Sequence, residues 1–251
     1  MSEPAVSIDL PFGAALAGLV LLAVVAARIG GLGVSRAVVT ASVRAVLQLA
    51  AVSVLIAAVL RSWWATAAFI TLMLLVAAAT SARRITTLRL GRPAILPIAA
   101  GVVPVGVLVV AAGTVPLTEV AVLPIAGILI GGSMTATSLA GRRALDELRT
   151  RHGEYEAALA LGFLPRDAAL EICRPTSGRA LVPALDQTRT VGLVTLPGAF
   201  VGVLLGGGSA VQAGATQLLV LVALLAVEAI AVGVTVELVA AGSLRPPSAI
   251  S

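Results

Sequence analysis

Along most of this chain apolar residues do not alternate with polar ones. They run unbroken for membrane-spanning lengths and are then interrupted by short arginine-bearing stretches. A helix needs ~20 mainly apolar residues to cross ~30 Å of hydrocarbon, and ~17 suffice in thin places. Seven stretches meet or approach that length: Leu10–Ala27, Arg44–Leu60, Trp63–Ala79, Ala94–Ala112, Val120–Ala140, Val191–Leu205 and Ala215–Val239. The sixth is short and Gly-rich, so its ends are the least defined. The pattern predicts an all-α polytopic membrane protein with about seven transmembrane helices. A single transmembrane domain over residues 1–251 is expected, with no internal repeat or low-complexity linker.

Composition agrees with lipid burial. Of 251 residues, 59% are apolar and only 12% charged, and the mean hydropathy is +1.09. A soluble fold with so few charges would expose large apolar patches. The opening MSEPAVSIDL is acidic and lacks a basic n-region, so the first apolar run is expected to remain as a span.

All 17 basic residues are Arg, and there is no Lys. A Walker-type phosphate loop, a Schiff-base enzyme and a Ser-Lys dyad each need a lysine, so all three are excluded. With Cys173 and His152 the only residues of their kinds, no zinc cluster, internal disulfide or HExxH motif can form. The net charge of +5 would suit nucleic acid if it formed a surface patch. It does not. Arg28, Arg36 and Arg44 share one connection, and Arg83, Arg84, Arg89 and Arg92 the next but one. Eight more lie within Gly141–Thr190, and Arg245 is in the tail. The alternate connections carry Arg61 alone, with Glu3, Asp9 and Glu119. Sixteen arginines against one predict that the rich face is cytoplasmic, with the N-terminus outside and the C-terminus in the cytoplasm. The basic balance then reflects topology and lipid headgroups in the cell (inner) membrane, not nucleic-acid binding.

The Gly141–Thr190 connection is too long for an ordinary helix–helix link and balances its arginines with seven acids. Leu145, Leu148, Tyr155, Leu159 and Leu161 predict an apolar helical face continuing from the fifth span. Gly162 is placed to stop that helix, Pro165 to open a second with Asp167 near its positive end, and Pro175 to close it. The expected shape is a helical elbow in the cytoplasm. An ordinary amphipathic hairpin is the plainer reading of the same pattern.

The string EAALALGFLPRDAALEICRP resembles the EAA loop of ABC-transporter permeases, with Glu156, Ala157, Ala158, Gly162, Ile172 and Pro175 at the family spacing. Arg174 stands where that pattern usually has Leu. The resemblance implies a coupling helix that docks on a separate cytosolic ATPase, so ATP and Mg would sit on the partner and this chain would carry no cofactor. Two further stretches, LPIAGILIGGSMTATSL and ALVPALDQTRTVGLVTLPGAFVGVLLGG, resemble the Fet-type iron-export ABC permeases, a family that includes plant aluminium-tolerance membrane proteins. That likeness implies a non-enzymatic permease subunit exporting iron or a related metal, and, since ABC transporters use two permease halves, a homodimer.

Gly127 and Gly131 form a GxxxG on the fifth span, and Gly198, Gly202 and Gly206 a double one on the sixth; small residues let helices approach in lipid. Pro124, Pro197 and Gly198 loosen the backbone hydrogen bonding and offer hinges, so both static packing and gating fit. Glu228 falls mid-way along the seventh span, where an acid serves a proton or cation path or pairs with an Arg. Glu237, nine residues on, lies on roughly the opposite face and is expected at the interface, paired with an Arg. Gln48, Thr135, Thr137 and Gln217 are polar candidates for lining a path. Met134 offers either a soft ligand or packing. The metal-ligand inventory is thin, and no metal site is assigned. Three function classes therefore stand: an ATPase-driven permease, a proton-coupled carrier using Glu228, and an intramembrane enzyme, which the inventory nearly excludes.

Overall fold

The structure, a computed structural model, describes residues 9–245. Glu3 lies outside the described residues. Helix dominates, and among the described residues the sole β feature is an isolated bridge between Val191 and Thr195. The protein is an all-α polytopic membrane protein. Among the described residues six helical stretches are long and apolar enough to cross a membrane, one fewer than the hydropathy pattern predicts. The helices fall into two compact units, divided between Arg61 and Ser62.

The first unit holds α1 (Leu10–Ile29) and α2 (Ser35–Val59), packed on each other. Asp9 caps α1 by accepting from the Phe12 amide at 3.1 Å. Gly31 and Gly33, at φ +63 and +69, make the turn between the helices. Apart from Ala27 and Val59, neither helix has a buried residue, so both are apolar on faces this unit does not cover.

The second unit begins with α3 (Trp63–Ile85). A short 3₁₀ turn leads into α4 (Ile95–Ala111), followed by α5 (Glu119–Thr150). At ~1.5 Å per residue α5 outreaches a bilayer core by several turns. Next come α6 (His152–Ala160), α7 (Pro165–Ser177), α8 (Val182–Thr190), α9 (Gly198–Leu205) and α10 (Ala210–Ala240). A capping box between Ser209 and Gln212 starts α10.

Three helices run parallel. Met73 of α3 sits by Gly127 and Ile85 by Gly141, so α3 and α5 advance together. Leu129 and Ile130 of α5 share one cluster with Leu224 and Val227, and Ala140 and Ala144 share another with Val236 and Val239, so α10 follows the same direction. Short links require α4 to run back between them. The unit thus has an arginine-rich end, marked by Arg83, Arg84, Arg92 and Arg142, and an arginine-poor end at Glu119.

Because α5 and α10 are parallel, the chain must return along the bundle between them. The stretch Val191–Leu205, expected as a spanning helix, is helical only over Gly198–Leu205. Eight residues rise ~12 Å, far short of a bilayer core. Gly192 at φ +81 turns the chain after α8, and Pro197, extended at ψ 159, lacks the amide that would continue a helix backwards. The return leg is therefore broken into α8, an irregular segment and α9, both helices lying along α10.

Candidate functional site

The elbow begins where α5 ends. The apolar pattern predicts one helix through Leu161, but the structure breaks it at Arg151, at φ −105 and ψ 30. The Arg151 guanidinium grips Glu154 twice, Nε to Oε1 at 2.8 Å and Nη2 to Oε2 at 2.5 Å, and Nη1 donates to the Ile172 carbonyl at 3.3 Å. That hydrogen bond holds the Glu154 carboxyl below its ordinary range and raises the Arg151 guanidinium. One side chain thus restarts the helix and ties it to α7. The Arg followed three positions on by Glu is the signal that hydropathy overlooks.

The turn forms as the sequence predicts. Gly162 adopts φ +92; its amide donates to the Leu159 carbonyl at 2.9 Å, and the Phe163 amide to that of Ala158 at 3.1 Å. This is a Schellman stop, which favours glycine because a Cβ clashes there. No residue of α6 is buried, and Leu161, Phe163 and Leu164 stand exposed around the turn. Glu156 is exposed too, 3.3 Å from His152 Nε2; Ala157 is exposed and Ala158 half-buried.

Helix α7 is the anchored arm. Pro165 opens it, and Ala168, Ala169, Leu170, Ile172 and Cys173 are buried. Ala169, Leu170 and Cys173 belong to the cluster formed by the arginine-rich halves of α5 and α10. Burial pushes the Cys173 thiol up to about 11, so it is a packing group rather than a nucleophile. Pro175 does not close the helix as expected. It sits exposed in the last turn, and α7 runs on to Ser177 before a 3₁₀ turn. The outer face of α7 carries Arg166 and Arg174, which reach the two oxygens of Glu237 at 2.5 and 3.2 Å.

Deeper in the bundle, glycines set the helix spacing, and most of those in the GxxxG motifs are not among them. Gly127 meets Met73 Cε, while Gly131, Gly198 and Gly202 have open space where a side chain would start. Close approach falls instead at Gly101, where a Cβ would lie 2.6 Å from the Val227 carbonyl oxygen, and at Gly141, 2.6 Å from Ile85 Cδ1. Gly132 faces α10 in the same way, 2.2 Å from Leu224 Cδ1 and 2.8 Å from Glu228 Oε1. Ser81 and Ser138 lie 3.1 Å apart on α3 and α5.

Several expected path residues do not converge. Gln48 and Thr135 are exposed, on α2 and α5. Met134 is half-buried and packs among apolar residues. On α10, however, Gln217, Glu228 and Thr235 are all buried and fall on one helical stripe. Gln217 accepts from the Phe200 amide at 3.3 Å, holding α9 to α10. A cleft of about 1340 Å³ opens beside this stripe, lined by Pro116, Pro124, Gln187, Pro197, Gly202 and Gln217 among others, and it reaches Leu224. Among the described residues no group of three or more His, Cys, Asp or Glu could hold a metal ion.

The family described as "Uncharacterised protein family (UPF0014)" matches residues 12–242. The rice (Oryza sativa subsp. japonica) "UPF0014 membrane protein STAR2" is 37% identical over 114 residues, 45% of this chain and 40% of that protein. "Protein ALUMINUM SENSITIVE 3" of Arabidopsis thaliana is 39% identical over 106 residues, 42% of this chain and 39% of its own length. "Probable iron export permease protein FetB" of Escherichia coli (strain K12) is 32% identical over 108 residues, 43% of this chain and 42% of its own length. The matches thus span about two fifths of each relative. No solved structure matches. With the family match running from α1 to the end of α10, the chain belongs to the UPF0014 family of membrane proteins.

Proposed function

We propose that this chain is the membrane subunit of an ABC transporter, driven by a separate cytosolic ATPase and exporting iron or a related metal ion. The observation that carries the reading is the elbow: an exposed α6 and Gly162 turn mounted on an α7 that is buried against α5 and α10. A docking element needs an accessible tip and a rigid connection to the moving helices, and this segment has both. The arginine-rich end faces the cytoplasm in this reading, which puts the elbow where an ATPase can reach it. Nucleotide and Mg belong to the partner, and two copies of the chain complete the transporter.

Glu156, Ala157, Ala158 and Gly162 form the docking tip, while Ile172 and Pro175 belong to the arm that transmits its motion. The cargo follows the relative named as an iron export permease. The broken return leg supports a transport role, since irregular backbone at membrane depth is tolerated only against protein or a water-filled cavity. The exposed elbow tip on its buried arm favours an ATPase partner over a proton-coupled carrier, which needs no docking element.

The test is reconstitution of the chain in liposomes with a co-expressed ABC ATPase. The expected result is a stable complex in which ATP drives Fe²⁺ across the bilayer. Transport that proceeds without ATP and collapses with a protonophore would overturn the reading in favour of the carrier.

A further inference from the structure

Glu228 is 7% exposed, and among the described residues no hydrogen bond or ion pair reaches its carboxylate. An unpaired acid inside a membrane bundle is expensive, and such residues mark ion pathways. The arginines of the packed helices do not neutralise it. They gather at the arginine-rich end, and Arg142 lies about ten residues, ~15 Å of helix, beyond Gly132.

The facing helix is shaped around the acid. A Cβ at Gly132 would lie 2.8 Å from Glu228 Oε1, so this glycine lets the carboxylate rest against the α5 backbone. Along the same helix Ser133, the next residue, and Thr137, one turn beyond it, are 0% exposed, and neither hydroxyl has a hydrogen-bond partner. An unsatisfied buried polar group costs ~1–3 kcal/mol, so two on one face call for a ligand to satisfy them. The large cleft reaches Leu224, one turn before Glu228 on α10.

We propose that Glu228, resting on Gly132, forms with the unpartnered hydroxyls of Ser133 and Thr137 on the same stretch of α5 a transient oxygen-donor site for a divalent cation crossing the bundle. The inference rests on the transporter reading and names where the cargo pauses. Carboxylate and hydroxyl oxygens select hard or borderline ions such as Mn²⁺ and Fe²⁺ over soft Cu⁺. A single carboxylate binds weakly, which suits an ion that must also leave.

The test uses the full chain in lipid nanodiscs, alone and with its ATPase, with Mn²⁺ as the probe read by electron paramagnetic resonance. Glu228→Gln is expected to weaken Mn²⁺ binding at least ten-fold and Glu228→Asp to retain most of it. The double variant Ser133→Ala, Thr137→Val keeps the charge and the packing volume and is expected to weaken binding several-fold. Should Glu228→Gln fail to fold, the double variant decides alone. Wild-type binding in Glu228→Gln, or in the double variant where that one is lost, overturns the site. Failure of the wild-type chain to pair with an ATPase would instead overturn the transporter reading, because Mn²⁺ binding is read on the isolated chain.

Discussion

Arg174 of α7 donates to the Glu237 carboxylate of α10 at 3.2 Å, so the elbow's arm is fastened to the helix that carries Glu228. Arg174 is also the position where the EAA pattern usually has Leu. The charged departure is matched by a charged partner, with Arg166 reaching the other oxygen. All three side chains are substantially exposed, so the pair contributes little to stability, ~0.2–1 kcal/mol. Its consequence is positional.

Arg174→Leu is therefore expected to leave thermal stability within ~0.5 kcal/mol of wild type. Glu237→Arg sets three cations together and should loosen the exposed face of α7 from α10 while the buried face stays packed. ATP hydrolysis stimulated by the chain should fall several-fold in that variant, with membrane insertion intact. Hydrogen exchange across α7 gives the independent reading, and unchanged protection there would refute the fastening.

Neighbouring glycines should respond in opposite senses. Gly131→Ala adds a methyl where nothing lies within 4 Å and should stabilise by ~0.5–1 kcal/mol through helix propensity. Gly132→Ala drives a methyl into Leu224 and Glu228 and should cost ~1–3 kcal/mol. Gly101→Ala meets the Val227 carbonyl, a backbone atom that cannot swing aside, so its cost should be at least as large. Denaturation of the three variants in matched detergent provides the ranking.

At the elbow turn, Gly162→Ala keeps the chain length but places a Cβ at φ +92, a strain of ~1–2 kcal/mol. Gly162→Asn should cost less, because Asn tolerates left-handed backbone. If stimulated ATP hydrolysis falls with alanine and recovers with asparagine, the geometry of the turn is what the partner recognises.

Burial raises the Cys173 thiol from 9.0 to about 11. Its folded value exceeds its unfolded one, so the stability it contributes is full below pH 9 and is lost as pH climbs toward 11. Maleimide labelling of native protein at pH 7 should be slow and should become rapid on unfolding. Cys173→Ala should flatten the alkaline loss of stability, read by melting temperature across pH 8–11.

Much of the elbow is legible in the sequence because its signals are local: Gly162 past a helical run, Pro165 opening the next, and a fixed spacing to Ile172. The spans are equally readable, since hydropathy sums over a window. That summation is also why the return leg misleads. Val191–Leu205 is apolar enough to span, yet Gly192 and Pro197 act on backbone angles, which a hydropathy sum does not register. Gly131 and Gly132 differ by one 100° step around α5, and which of them meets α10 depends on tertiary packing that no local pattern encodes. The break at Arg151 depends on a reach to the Ile172 carbonyl, a partner 21 positions away.

The most direct test of an ATP-driven permease worked through its elbow is cross-linking from the tip. With Cys173→Ala as background, Leu161→Cys should cross-link to the co-expressed ATPase and resist a membrane-impermeant thiol reagent added outside intact cells. Trp64→Cys, at the opposite end of the bundle, should do the reverse. Labelling of Leu161→Cys from the exterior, with no cross-link to the ATPase, would contradict the account.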